Sequence, residues 1–321
     1  MNPSPLARSE RTSLQKAQVD VVNRLLEDKR SPETRRAYAK DLRDFFKFIA
    51  GVEEPTQEVV AGFLGCERYR AIALVLDYKA HLLNRRKLSE ATVNRRLAAI
   101  KSLVRLGNQL EQCSFTLTEI TSSKVVPYRD TTGITKEVFR KLIAVPDRTT
   151  LKGKRDYAIL RLLWDNVLRR GEIVRADIGD LDAEGSVLAI LGKGRGNQKE
   201  AIRLSRNTLA AIVDWLLARK ETNPKKPLFI ALDPCSKGHR LSGTSIYNLV
   251  NELGQRAGIA KKLSPHRIRH SGITAALDAT NGDVRKVQKL SRHANLNTLM
   301  IYDDHRQDAQ GEISELLSEL V

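Results

Sequence analysis

Apolar residues recur at helical spacing along most of this 321-residue chain. That pattern restricts the fold more than any other feature, because a helix with one apolar stripe must bury it against other helices. Ser31-Pro32-Glu33 is a helix start, with a serine cap and proline at the first helical position. The helix after it carries Tyr38, Leu42, Phe45 and Ile49 on one stripe, with Arg35, Arg36, Lys40, Arg43 and Lys47 on its other faces. A second runs from about Ala71 to Arg86. A third follows a Ser89 cap, with Val93, Leu97, Ile100 and Val104 inside and Asn94, Arg95, Arg96, Lys101 and Arg105 outside. This first block is expected to be a helical bundle with basic outer faces.

Residues 114 to 132 lose the helical period and are rich in Ser, Thr, Pro and Asp, so they are expected to form a linker. Residues 1 to 12 are expected to be a flexible leader, 13 to 113 one domain and 133 to 321 another; the chain is long enough for two. From Gly133 helices resume, including a buried one over Arg155 to Asn166. The convincing strands are Val187 to Leu191 and Ala201 to Leu204, flanking the turn-rich Gly192-Lys193-Gly194-Arg195-Gly196-Asn197. Asp177 to Leu181 is a candidate third strand. Further helices are expected over 207 to 220, 242 to 257, 264 to 279 and 284 to 290. The fold class is therefore mainly α with a small antiparallel sheet.

Lys and Arg number 55 against 38 Asp and Glu, a formal net charge of +17. That excess favours a polyanionic partner, of which nucleic acid is the commonest. Three widely spaced cysteines make neither a disulfide framework nor a cysteine-rich metal site, which points to a reducing compartment. The first residues lack the apolar core of a secretory signal, and no stretch approaches the roughly 20 apolar residues of a membrane helix. A soluble, cytoplasmic protein is expected.

The chemistry-bearing residues lie in the second block. Ser264-Pro265-His266-Arg267-Ile268-Arg269-His270 is a capped helix start. His266 and Arg269 share a face in its first turns, where free backbone N–H groups and the helix dipole favour an anion. His266 and His270 have the spacing of a metal pair, but the interleaved arginines and the missing zincin glutamate speak against one. Upstream, Arg169 and Glu172 in Leu168-Arg169-Arg170-Gly171-Glu172 have the spacing that lets a carboxylate fix a guanidinium. Lys193 sits at the tip of the glycine-rich hairpin. A strand follows that loop, so it is not a phosphate-binding loop of an NTPase. Downstream come Leu290-Ser291-Arg292-His293 and, nine residues beyond His293, Tyr302. Taken singly, each is equally an ordinary surface ion pair, solvated turn or core tyrosine.

Their order is specific. Arg169-x-x-Glu172, Lys193 in a hairpin, His266-x-x-Arg269-His270, His293 and Tyr302 together resemble the tyrosine recombinase (phage integrase) family over nearly the whole chain. The resemblance implies a core-type DNA-binding domain over 13 to 113 and a catalytic domain over 133 to 321. It implies that Tyr302 attacks the scissile phosphate to form a 3′-phosphotyrosyl link. Arg169 and Arg269 would clamp the non-bridging oxygens, with Glu172 supporting Arg169. His266 would act as base, Lys193 as general acid for the leaving 5′-oxygen, and His293 would bond the phosphate or position the nucleophile. No metal, cofactor or ATP is called for, since two guanidiniums meet the developing charge and the phosphodiester energy is kept in the tyrosyl ester.

Two departures from the family pattern stand out. Val167 occupies the position before Leu-Arg where the family usually has glycine, and the lysine turn is longer than usual. Lys199 is therefore a secondary candidate for the acid, and Arg195 a candidate DNA contact. Arg35, Arg36, Lys40, Arg43, Asn94, Arg95, Arg96, Lys101 and Arg105 are the expected DNA-facing residues of the first block. No arm-type domain is expected before Ser13, which suggests a compact Xer-like or simple integrase arrangement. Ile313, Leu316, Leu317 and Leu320 form an apolar stripe opposite Glu312, Glu315 and Glu319. A helix over 311 to 321 would thus pack on its own domain or, as the family does, on the next subunit of a homotetramer. The expected partner is duplex DNA with inverted half-sites. A non-catalytic DNA-binding protein and a type IB topoisomerase-like strand transferase are the alternatives.

Overall fold

The computed structural model describes residues 20–124, 133–192, 198–297, 299–300 and 309–320. The chain divides into two compact units, Met1–Tyr128 and Arg129–Val321. The first holds α1 (Val21–Asp28), α2 (Pro32–Ala50), α3 (Gln57–Leu64), α4 (Arg68–Ala80) and α5 (Glu90–Gln109). Asp20, Ser31 and Thr56 cap α1, α2 and α3 through side-chain oxygens that accept backbone N–H bonds, as expected for these residue types. Gly51 ends α2 in the left-handed conformation at φ 69°. The helix expected to run to Arg86 changes at His81 into a π turn, His81–Arg85.

The first core is aromatic. Phe45 meets Phe46, Phe63 and Tyr78 edge to face, with ring centroids 5.3, 5.1 and 5.3 Å apart. Each such side chain contributes about 1.5–3 kcal/mol by burial. Phe115, Leu117 and Ile120, from the stretch read as linker, are buried in this same core. Phe115 and Leu117 alternate with exposed Thr116 and Thr118, a period of two in an extended segment. Asn94 holds the end of that segment: its side-chain amide donates to the Ser123 carbonyl at 2.8 Å and accepts the Ser123 N–H at 2.9 Å.

Arg96, expected on the outer basic face, is buried instead. Its guanidinium donates to Asp44 and, at 3.0 Å, to the Tyr78 hydroxyl. Asp44 also receives Tyr78 at 2.6 Å and Arg86 at 2.8 Å. Burial opposes ionisation of Asp44, yet the Tyr78 and Arg86 bonds and the arginine charges hold it below the ordinary carboxylate range. The helical period could not distinguish Arg96 from its neighbours, because an inward-facing arginine needs partners on other helices, here Asp44 on α2 and Tyr78 on α4.

The second unit is built on α7 (Leu151–Trp164), with Ala158, Ile159, Leu160, Leu162 and Leu163 all buried. Around it lie α6 (Lys136–Ile143), α8 (Arg170–Arg175), α9 (Arg206–Arg219), α10 (Gly243–Arg256), α11 (Pro265–Ala279) and α12 (Val284–Ser291). A final helix, α13, spans Ala309–Ser318, with Leu316 and Leu317 exposed. Three antiparallel strands, β1 (Leu181–Asp182), β2 (Val187–Leu191) and β3 (Lys199–Arg203), pair in that order. The register sets Val187 opposite Arg203 and Leu191 opposite Lys199. The candidate third strand is mostly a 3-10 turn, Ile178–Asp180, and only its end joins the sheet. Asp177 instead bridges to Pro227. Among the described residues no helix is long and apolar enough to cross a membrane.

The burial of Arg96 separates fold from surface. Replacing Arg96 with alanine removes a buried partner of both Asp44 and Tyr78 and is expected to cost about 3–5 kcal/mol in urea unfolding. Arg105→Ala, at an exposed position on α5, is expected to stay within about 0.5 kcal/mol of wild type.

Candidate active site

Two helix ends and a turn converge in the second unit. After α7, the chain turns through Val167, whose φ of 42° is rare for a β-branched residue. The turn is locked by packing: Val167 is buried with Ile273, Leu277, Val287 and Leu299. Gly272 of α11 makes the room, since a Cβ there would lie 2.8 Å from Val167 Cγ1 and from the Trp164 carbonyl. This turn delivers Arg169 as the cap of α8.

Glu172 is buried and serves both ends of Arg169. One carboxylate oxygen accepts the Arg169 backbone N–H at 2.8 Å, and the other accepts its guanidinium at 2.8 Å. The pairing expected from the spacing is present, but a third group joins it: Arg292 donates to Glu172 at 3.1 Å from a side chain only 7% exposed. Burial pushes the Glu172 carboxyl upward; the Arg292 charge first, and then bonds from Arg169, outweigh it and hold Glu172 below the ordinary glutamate range.

The C-terminal end of α12 anchors both candidate clamping arginines. Arg269 Nη2 donates to the Ser291 carbonyl at 2.5 Å, and Nη1 to the Val167 carbonyl. Arg169 Nη2 donates to the Arg292 carbonyl at 3.4 Å. His293 follows directly. Its Nε2 lies 3.5 Å from Arg269 Nη2, its Nδ1 lies 3.2 Å from Ser291 Oγ, and its carbonyl accepts Gln288 Nε2 at 3.0 Å.

On α11, Ser264 caps the helix and Pro265 occupies its first position, as the sequence suggests. His266 is exposed and Arg269 buried. The buried His270 lies beneath His266, with 2.6 Å between their Nε2 atoms. One ring donates and the other accepts, so the tautomers of the two rings are coupled. The two rings form a hydrogen-bonded couple along one helix face.

The site thus unites Arg169, Glu172, Arg269 and His293, with His266 on the helix that carries Arg269. Lys193, Arg195 and Tyr302 lie outside the described residues. Lys199, the secondary acid candidate, begins β3 and is paired with Asp180. Sequence reasoning passed over Arg292, Ser291 and the contact of His270 with His266. Arg292 had one visible signal, its place directly before His293. Of the expected DNA-facing residues, Arg35, Arg36, Lys40, Arg43, Arg95 and Arg105 are exposed. Several are engaged: Arg35 with the Lys29 carbonyl, Arg43 with Glu54, Arg95 with Asp41 and Lys101 with the Ile120 carbonyl.

Residues 133–309 match the phage integrase family, and residues 22–107 match the phage integrase N-terminal SAM-like domain. The chain belongs to the phage integrase family. It is 51% identical over 302 residues to a tyrosine recombinase of Synechocystis sp., covering 94% of this chain and 96% of the relative. It is 52% identical to one of Synechococcus elongatus, covering 94% of each. Tyrosine recombinase XerC of Haemophilus ducreyi is 37% identical over 149 residues, 46% of this chain and 47% of the relative. Among solved structures, XerH site-specific recombinase bound to palindromic difH substrate in a post-cleavage complex superposes with TM-score 0.65 at 20% identity, covering 88% of this chain and 80% of the other. A lambda integrase dimer bound to a COC' core site gives 0.60 at 12% identity, covering 96% and 82%. These structures share the fold of this tyrosine recombinase.

The lowered pKa of Glu172 makes a pH prediction. The stability it contributes is fully present above its unfolded value of roughly 4.3 and is lost as pH falls through the lower folded value. The difference in urea midpoint between wild type and Glu172→Gln is therefore expected to be wide at pH 7 and to narrow below pH 4.

Proposed function

We propose that this enzyme is a site-specific DNA recombinase that cuts and rejoins duplex DNA through a 3′-phosphotyrosyl intermediate, using Arg169 and Arg269 as the phosphate clamp. The observation that carries this reading is the anchoring of both guanidiniums on successive carbonyls, Ser291 and Arg292, at the end of α12. Held from behind, the two guanidiniums would meet the non-bridging oxygens and the charge that builds on them in the pentacoordinate transition state.

Tyr302 attacks the phosphorus while the bond to the 5′-oxygen breaks. A phenol with an ordinary pKa of about 10 needs help to lose its proton. His266 accepts it, its tautomer coupled to that of His270. Lys193 gives a proton to the leaving 5′-oxygen. His293, set against Arg269 and Ser291, bonds the phosphate. The phosphodiester becomes a phosphotyrosyl ester of similar energy, so a 5′-hydroxyl from another strand reverses the step without ATP. Water in place of that hydroxyl would make cleavage irreversible, which is what separates a strand exchanger from a nuclease.

Exposed basic residues of the first unit, among them Arg36, Lys40 and Arg105, supply phosphate contacts, and Arg195 of the hairpin adds one near the scissile site. Four subunits assemble on paired inverted half-sites in the cytoplasm, each lending its C-terminal helix to the next. The exposure of Leu316, Leu317 and Leu320 supports this exchange.

A nicked suicide substrate, incubated with EDTA and without ATP, tests the chemistry: the wild type is expected to form a covalent adduct. Tyr302→Phe is expected to lose the adduct and keep DNA binding; retained cleavage would mean another nucleophile. Removing residues 311–321 is expected to weaken synapsis of two sites more than binding to one, measured by gel shift; equal loss would indicate packing within one chain.

A further inference from the structure

We propose that Arg292 is a positioning residue for strand cleavage, holding Glu172 so that Arg169 is both aimed and left positively charged toward the phosphate. The inference rests on the reading of Arg169 as a phosphate clamp.

Arg292 stands where an arginine is costly. It follows α12 in the left-handed conformation, φ 57° and ψ 39°, the helix-end position that glycine ordinarily fills. A Cβ there crowds the following carbonyl oxygen, so a side chain is disfavoured. Its Nε is buried and, among the described residues, has no hydrogen-bond partner. A long cation at a helix end ordinarily extends into water. This one turns inward, donating to Glu172 at 3.1 Å, to the Leu290 carbonyl at 2.8 Å and to the Asn166 carbonyl at 3.4 Å.

Charge explains what the inward turn achieves. Glu172 is only 1% exposed, and paired with Arg169 alone it would form a neutral couple. The carboxylate would then compete with the DNA phosphate for the same guanidinium. A second arginine takes up part of the carboxylate charge, and the triad of Arg169, Glu172 and Arg292 carries a net +1. Glu172 can then orient Arg169 through its backbone and side chain without neutralising the site. Arg292 also meets Arg169 from the other side, since its carbonyl accepts Arg169 Nη2. Burial lowers the Arg292 pKa and the Arg169 charge adds to that, while the charge and bond of Glu172, and less so Glu200 on β3, favour the guanidinium. Arg292 thus acts through Glu172 and need not touch DNA.

The test compares single-turnover adduct formation on the nicked substrate for wild type, Arg292→Gly, Arg292→Lys, Glu172→Gln and the Arg292→Gly/Glu172→Gln double variant, with Arg169→Ala as control. Glycine suits the backbone, so Arg292→Gly should fold and bind DNA like wild type. Its adduct formation is expected to slow roughly 10- to 100-fold, the scale of a misaimed catalytic group. Lysine, which restores the charge without the fork, is expected to recover part of the rate. The double variant is expected to be no slower than Glu172→Gln, because both changes remove one interaction. Wild-type rates in Arg292→Gly beside an inactive Arg169→Ala would overturn the proposal, as would multiplicative losses in the double variant. An active Arg169→Ala would instead overturn the clamp reading beneath it.

Discussion

The active region of this recombinase depends on one arrangement: backbone carbonyls at the C-terminal end of α12 grip two arginines that come from elsewhere in the chain. The carbonyls at a helix end lack intrahelical partners and carry the negative pole of the helix dipole. Ser291 and Arg292 present theirs to Arg269 and Arg169, and Arg292 adds its own guanidinium to the buried Glu172. Three positive side chains are thereby held close together against their mutual repulsion. The compensation comes from a buried carboxylate and from peptide dipoles fixed at the end of a helix. Preorganised charge of this kind stabilises a transition state without reorganisation at the moment of reaction.

The arrangement is built on strained backbone. Val167 and Arg292 both have positive φ, and each lies on a segment that feeds the site. Val167 is held by burial among Ile273, Leu277, Val287 and Leu299, with Gly272 opening the space it needs. Arg292 is held by its ion pair. Where the family usually has glycine before Leu-Arg, this chain keeps the turn and places a side chain in it. With Val167 in that turn, Arg169 still caps α8, and the Val167 carbonyl receives Arg269.

The first unit shows the same logic with a different outcome. Its sequence offers a row of basic residues on α2 and α5, and the period alone makes them look alike. Tertiary packing sorts them. Arg96 turns inward to Asp44 and Tyr78, and Asn94 fastens the extended segment that follows α5. Arg36, Lys40 and Arg105 remain on the surface. A basic stripe therefore overstates the DNA-facing surface, because a cation at an interior position contributes to the fold through partners that lie far away in sequence.

The sequence by itself determined the mainly helical class, the helix caps at Ser31 and Ser264, the strands β2 and β3, and the order of Arg169, His266, Arg269 and His293. These follow from local chemistry: apolar period, cap residues and turn residues act within a few positions along the chain. Only the tertiary structure decided that Phe115, Leu117 and Ile120 belong to the first core, that Arg96 is internal, that His270 supports His266, and that Arg292 shares Glu172 with Arg169. Each of these is a contact between segments, and Glu172 and Arg292 are 120 residues apart. An ion pair over that distance leaves no periodic trace in either segment; it exists because α8 and the end of α12 are brought together by the core on which they rest.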